Sequence, residues 1–110
     1  FSKAVRVGDV IYLSGELGID PATNELASGG VGPETSMIFA NIERTLAEFD
    51  ADLSDVVKCS VFLDDMAAYG AMNAAYDAAL PDPKPARSTF GVNGLALGAE
   101  VEIECLAVTP

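Results

Sequence analysis

The run Val56–Leu63, which stands between two stretches of helical periodicity, constrains the fold of this chain more than any other feature. Its residues are mostly β-branched or apolar, and aspartate-containing segments bound it on both sides, so we predict a central β-strand. Before it, Ile38, Ile42, Leu46 and Phe49 recur at helical spacing and indicate one buried stripe. This alternation of helix and strand favours an architecture that mixes both.

The first helix has recognisable ends. We expect it to begin near Pro33, with Glu34 beside the positive end of the helix dipole, and to end around Asp50. The polar residues of this segment fall largely outside the buried stripe: Asn41, Glu43, Arg44 and Glu48.

A second helix is predicted at 66–80, and Asp64 or Asp65 is placed to cap it rather than to form a catalytic carboxylate pair. Prolines at 81, 83 and 85 then forbid further helix and make a stiff extended loop. The expected inner face of this helix consists of Tyr69, Met72 or Asn73, Tyr76 and Leu80.

Strands are predicted at both ends of the chain. Those at 5–7 and 10–14 flank a two-residue turn made by Gly8 and Asp9. The segment 15–32 is rich in turn-forming residues and is expected to be a long loop, either functional or mobile. Two more strands, at 87–92 and 100–108, are joined by a glycine-rich turn.

The resulting order, ββαβαββ, is typical of an α+β fold in which two helices cover one face of a mixed sheet, and we expect a single domain over residues 1–110. Several predicted strands are apolar on both faces, although two helices cover only one. An uncovered apolar face favours a partner surface. We therefore infer a homo-oligomer, with sites at the subunit boundaries.

The charge of the chain excludes some partners. Six basic residues face seventeen acidic ones, which gives a net charge of −11. This is the wrong sign for holding nucleic acid, so no nucleic-acid partner is expected. No apolar run approaches the roughly 18 to 20 residues that span a bilayer, and no signal-peptide pattern is visible. We expect no membrane association and a cytoplasmic location.

The chain has no histidine and only two cysteines, Cys59 and Cys105. Both lie in apolar strand-like runs, so we predict buried free thiols, although the sequence leaves a disulfide open. A zinc site is disfavoured, and the missing histidine excludes every Ser-His or Cys-His nucleophile pair. The available chemistry is that of carboxylates, hydroxyls, backbone groups, arginine and water.

Arg87 is the most informative single residue, because its planar fork can hold a carboxylate by two parallel hydrogen bonds. Taken alone, it is better explained as a solvated surface arginine with its stem on apolar neighbours. The surrounding segments decide between these interpretations.

Five segments in order and register resemble the RidA/YjgF family, the reactive intermediate deaminases, also called endoribonuclease L-PSP or translation initiation inhibitors. The resemblance covers residues 1–108. Its segments are Ser14-Gly15-Glu16, Val56-Val57-Lys58 leading into Val61-Phe62-Leu63, Met72-Asn73-Ala74-Ala75-Tyr76, Pro85-Ala86-Arg87-Ser88-Thr89 and Val101-Glu102-Ile103-Glu104.

This resemblance implies a chorismate-mutase-like fold and a homotrimer with three active sites in the clefts between subunits. It implies hydrolysis of enamine and imine intermediates, such as 2-aminoacrylate, to 2-keto acids and ammonia, without a metal or an organic cofactor. The substrate is a small-molecule carboxylate.

The family positions carry over residue by residue. Arg87 would hold the substrate carboxylate, and Glu102 would hold or polarise water and move a proton. The substrate-binding positions would be Phe1, Ser14, Gly15, Asn73 and Thr89.

Each position also has a structural explanation. Glu102 alone resembles a solvated strand residue. For Asn73, a structural role in tying a helix to a loop is at least as good an explanation as substrate contact. Ser14 and Gly15 would simply end a strand.

Three departures from the family pattern affect substrate preference more than reaction type. Phe1 lacks the usual phenolic hydroxyl, Glu16 replaces a glutamine, and Thr89 stands where cysteine or valine is common. Two other functions remain open. A trimeric binding protein for 2-keto acids would use the same arginine without turnover, whereas a ribonuclease is disfavoured by the acidic charge and the missing histidine.

Overall fold

The computed structural model describes all residues 1–110. Its order of elements confirms the predicted ββαβαββ framework and adds three short strands. The strands and helices are β1 (Ala4–Val7), β2 (Val10–Leu13), β3 (Glu16–Leu17), β4 (Ile19–Asp20), β5 (Glu25–Leu26), α1 (Val31–Ala47), β6 (Val56–Leu63), α2 (Tyr69–Ala79), β7 (Ala86–Gly91) and β8 (Val101–Val108).

The main sheet is mixed, as predicted. Its strands run in the order β1-β2-β8-β6-β7, and β3 pairs with β8 beyond the end of β2. Only β6 and β7 are parallel, because α2 carries the chain back across the sheet between them. The other pairs are antiparallel, and β1 and β2 form the expected hairpin around Gly8 and Asp9.

The core lies between the two helices and one face of the sheet. From α1, Ile38, Ile42 and Leu46 are buried as the periodicity predicts, and Phe49 is half-buried. The sheet contributes alternate residues of β6 and β8, and α2 contributes Met72 and Tyr76. The buried residues of β8 are Val101, Ile103, Cys105 and Ala107.

The segment predicted as a long loop is more ordered than expected. It contains β3 and the small β4–β5 hairpin, which pack beside α1. Asn41, predicted to lie outside the buried stripe, is buried: its amide Nδ2 donates to the carbonyl of Ile19 at 2.9 Å and of Leu17 at 3.4 Å. The prediction for Asn41 was wrong because these strands cover a second face of α1.

The helix ends differ slightly from those predicted. Helix α1 begins at Val31, two residues before Pro33, and ends at Ala47, after which turns lead to Asp50. A short 3₁₀ turn, Met66–Ala68, precedes α2, and Asp65 caps it by accepting from the Ala67 amide at 2.9 Å. Asp65 therefore caps this turn at the predicted start of the helix, whereas α2 itself begins three residues later than predicted and has no side-chain cap.

The prediction of free thiols was wrong, because Cys59 and Cys105 form a disulfide. They lie directly opposite each other on β6 and β8, with Cα atoms 4.1 Å apart, and both side chains point into the core. Their pairing depends on the register of two strands that are distant in sequence.

The second face of the sheet carries no helix and exposes large apolar side chains. Tyr12 and Phe90 are each 48% exposed, and the Phe90 ring stacks on Phe62 with ring centroids 5.7 Å apart. Lys58, Ser60 and Glu104 make part of this face polar. Neither helix is long and apolar enough to cross a membrane.

Candidate functional site

Arg87 lies on β7 in register with Cys59 of β6, so its side chain points to the helix-covered face of the sheet. There its guanidinium meets α2. Nη1 donates to Oδ1 of Asn73 at 2.8 Å, and Nη2 donates to the hydroxyl of Tyr69 at 2.6 Å. The guanidinium carbon lies 4.7 Å from the centroid of the Tyr76 ring.

The spacing of α2 explains why these side chains converge. Tyr69, Asn73 and Tyr76 stand four and three residues apart and therefore share one face of the helix. The face of a tyrosine ring attracts a cation, and the two hydrogen bonds fix the plane of the fork. Arg87 is therefore held in one orientation and is half-buried.

Arg87 has no acidic partner within its own chain. No carboxylate oxygen lies within 4.0 Å of its guanidinium, although the chain carries seventeen acidic residues. A fixed cation with free N–H groups is suited to binding an anion from outside the chain.

Two buried hydroxyls near Arg87 have no hydrogen-bond partner within the chain, those of Thr89 and Tyr76. Thr89 stands two residues beyond Arg87 on the same face of β7, and the guanidinium of Arg87 lies over the Tyr76 ring. Buried polar groups are normally paired, so these two hydroxyls suit an external polar ligand or a water molecule. Burial raises the pKa of Tyr76, and the opposing charge of Arg87 lowers it less, so the phenol remains neutral.

A second group of predicted residues surrounds Glu102 on β8. Its side chain alternates with buried Val101 and Ile103 and so points to the uncovered face of the sheet. Gly15 lies against it: a Cβ atom at Gly15 would stand 2.2 Å from Oε2 of Glu102. Pairing of Leu17 with Glu102 across β3 and β8 creates this close approach.

Ser14 and Phe1 contribute less within one chain. The Ser14 hydroxyl donates to the carbonyl of Ser2 at 2.5 Å, which ties down the N-terminal segment. Phe1 is fully exposed and belongs to neither group.

One chain does not bring the predicted residues together. Arg87, Asn73 and Thr89 lie on the helix-covered face at the β7 edge, whereas Gly15 and Glu102 lie on the uncovered face, at β3 and β8. We call these the arginine group and the glutamate group. Because they are on opposite faces of one sheet, they cannot act on a single small molecule within one copy.

Glu16 does not join the glutamate group. It pairs with Ile103 and therefore points to the helix side, into a cavity of about 640 Å³ that Lys3, Asn41 and Arg44 also line. Burial raises the pKa of Glu16, and Lys3, whose Nζ lies 3.8 Å away, opposes that rise. The charge expected beside the site is thus on the other face of the sheet from Glu102.

Sequence reasoning missed Tyr69 as a partner of Arg87 and assigned it only to the inner face of the helix. The spacing of Tyr69 and Asn73, four residues apart, was the available signal. No cluster of three or more acidic or cysteine side chains is suited to a metal ion.

The family model described as Endoribonuclease L-PSP matches residues 1–109. The chain is 38% identical over 107 residues to Reactive Intermediate Deaminase A, chloroplastic, from Arabidopsis thaliana, covering 97% of this chain and 57% of that protein. It is also 38% identical over 108 residues to the 2-iminobutanoate/2-iminopropanoate deaminase of Mus musculus, covering 98% of this chain and 80% of that protein.

Among solved structures, RidA from an Antarctic Psychrobacter species superposes with a TM-score of 0.94 at 38% identity. The match covers 99% of this chain and 88% of that one. The predicted resemblance and the fold class are confirmed.

Proposed function

Since the chain belongs to the Endoribonuclease L-PSP family, several of whose members bear the name of imine deaminases, we propose that it hydrolyses reactive imines of 2-amino acids. The products are a 2-keto acid and ammonium. The observation that carries this proposal is Arg87, a fixed guanidinium without an acidic partner in an acidic chain.

The reaction needs little beyond positioning. Arg87 holds the substrate carboxylate and so places the imine carbon. Water attacks that carbon, both of its protons pass in turn to the nitrogen, and the carbon–nitrogen bond breaks as the carbonyl forms. The iminium ion plus water yields the 2-keto acid plus ammonium, and no electrons are exchanged.

Glu102 is the group we assign to the water. Its carboxylate accepts the proton of the attacking water and returns it to the leaving nitrogen. The lack of a side chain at Gly15 leaves space beside this carboxylate, because a Cβ atom there would stand only 2.2 Å from Oε2.

A complete site then requires two copies of the chain. The arginine group of one copy faces the glutamate group of its neighbour, and a ring of three copies closes three such sites. The apolar second face of the sheet, with Tyr12 and Phe90 exposed, supports burial against neighbouring copies. We place this homotrimer in the cytoplasm.

The net charge of −11 makes the positive charge of Arg87 more important for binding an anionic substrate. The overall field of the protein repels an anionic substrate, so a local cation is needed to attract it into the cleft. The same field favours departure of the anionic product.

A coupled assay tests the activity. A serine dehydratase generates 2-aminoacrylate in the presence of the protein, and release of pyruvate or ammonia is followed. We expect release faster than in the enzyme-only control. Measurable binding of pyruvate without any acceleration would instead support a binding protein.

Replacing Arg87 with lysine tests the anchor. Arg87→Lys keeps the charge but loses the bidentate fork, so we expect kcat/KM to fall by about 10²-fold. Arg44→Lys, at an exposed position on α1, is the matched control and should retain activity. Full activity of Arg87→Lys would overturn the carboxylate clamp.

A further inference from the structure

We propose that Tyr69 binds the substrate carboxylate directly, as a second donor beside Arg87. This inference rests on the proposed function and identifies a residue that the family positions did not supply. It follows from the direction of the two hydrogen bonds that Arg87 makes to α2.

Arg87 donates hydrogen bonds to the acceptor oxygens of two neighbouring side chains. It donates to the hydroxyl oxygen of Tyr69 at 2.6 Å and to Oδ1 of Asn73 at 2.8 Å. A phenol has one hydrogen of its own to donate, and an amide has two on its nitrogen. Because the oxygens of both side chains face Arg87, the hydrogens of Tyr69 and Asn73 remain for other partners.

No group of the chain accepts those hydrogens. Neither the Tyr69 hydroxyl nor Nδ2 of Asn73 donates a hydrogen bond within the protein. A guanidinium has five N–H groups, of which two are engaged here. Arg87, Tyr69 and Asn73 therefore offer three kinds of free donor to a ligand: guanidinium N–H, phenol O–H and amide N–H.

Three converging side chains that present free donors favour a carboxylate. Two carboxylate oxygens accept up to about four hydrogen bonds, whereas a neutral carboxamide offers one oxygen and adds donors that would meet the N–H and O–H groups. Tyr69 is 37% exposed, so a ligand can reach its hydroxyl, in contrast to the buried hydroxyl of Tyr76. Phe1 has no hydroxyl, so Tyr69 is the phenol placed to act with Arg87.

The test compares pyruvate with pyruvamide by calorimetric binding to the wild-type protein and to Tyr69→Phe, which removes only the hydroxyl. We expect pyruvate to bind roughly tenfold more weakly to Tyr69→Phe, since a hydrogen bond to a charged group is lost. Pyruvamide binding should change little. The control is Ser36→Ala, which removes an exposed hydroxyl on α1 and should leave both affinities unchanged.

A double variant separates direct contact from positioning through Arg87. If Tyr69 touches the carboxylate, Tyr69→Phe should weaken pyruvate binding further in an Arg87→Lys background. No additional loss there, or equal losses for pyruvate and pyruvamide in the single variant, would overturn the inference. Turnover by the wild-type protein is measured separately, and its absence would count against the proposed function rather than against Tyr69.

Discussion

Tyr76 shows how one residue serves the core and the candidate site at once. Its ring forms a T-shaped pair with Phe39, with centroids 5.4 Å apart, and the guanidinium carbon of Arg87 lies 4.7 Å from its centroid. Its hydroxyl is buried without a partner. The ring and the hydroxyl therefore make separate contributions that substitution can resolve.

We predict that Tyr76→Phe is neutral or stabilising, because it removes a buried hydroxyl that has no partner in the chain. Tyr76→Leu should lower the free energy of unfolding by about 1 to 3 kcal/mol and weaken pyruvate binding, because the ring supports both Phe39 and Arg87. Urea denaturation and calorimetry measure the two effects. A loss of stability in Tyr76→Phe would show that a water molecule satisfies the hydroxyl.

At Gly15 we predict a change in activity without a comparable change in stability. The new methyl group of Gly15→Ala would displace the Glu102 carboxylate, which is the flexible end of a side chain and can move. We expect kcat to fall by about tenfold or more, with little shift in the unfolding midpoint. Gly70→Ala in α2, where a Cβ atom meets nothing within 4 Å, is the control and should stabilise by roughly 0.5 to 1 kcal/mol.

At the scale of elements, Glu34 links the start of α1 to the residue that precedes β8. Its side chain is only 4% exposed, and Oε1 accepts from the Glu100 amide at 3.0 Å. Burial raises the pKa of Glu34, and the negative charges of Glu100 and Asp64 add to that rise. The ionised form is therefore less favourable in the folded state than in the unfolded chain.

The raised pKa of Glu34 determines how the stability of the fold depends on pH. Because the folded state binds the Glu34 proton more tightly, its contribution to stability falls as pH rises from about 4.3, the ordinary glutamate value, through the raised pKa. We predict that Glu34→Gln, which keeps an oxygen for the Glu100 amide, is more stable than wild type at pH 7. This advantage should shrink as pH falls. Glu43→Gln, at an exposed position on α1, provides the comparison for loss of charge alone.

The elements differ in how far their sequences define them. Val56–Leu63 was predicted with its observed bounds, because a β-branched run bounded by aspartate-containing segments is a local signal. The β4–β5 hairpin and the burial of Asn41 were missed, because each depends on contacts between 16–27 and α1 that no local pattern encodes. Free thiols were wrongly predicted at Cys59 and Cys105 for the same reason, since their disulfide depends on strand register.

The candidate site shows the same division. Its residue types and family positions could be read from the sequence, and the resemblance identified Arg87 and Asn73. Their mutual hydrogen bond, and the addition of Tyr69, required the packing of α2 on β7. The placement of Arg87 and Glu102 on opposite faces required the pairing of β6 with both β7 and β8.

At the scale of the whole molecule, the uncovered face of the sheet should control assembly and activity together. We predict that Phe90→Asp, which places a charge within the exposed Phe62–Phe90 stack, yields monomers by light scattering and abolishes turnover. Ala47→Glu, on the exposed side of α1, should leave the oligomer and its activity intact. An active Phe90→Asp monomer would show that one chain completes a site unaided.

The opposite placement of Arg87 and Glu102 also has a genetic consequence. If every site takes its arginine from one copy and its glutamate from another, loss-of-function alleles at the two positions should complement each other. Arg87→Lys and Glu102→Gln chains, each nearly inactive alone, would form mixed trimers when co-expressed. With random assembly of equal amounts, about a quarter of the sites would combine an intact Arg87 with an intact Glu102. Both lesions would then behave as recessive alleles of a single gene that restore one another.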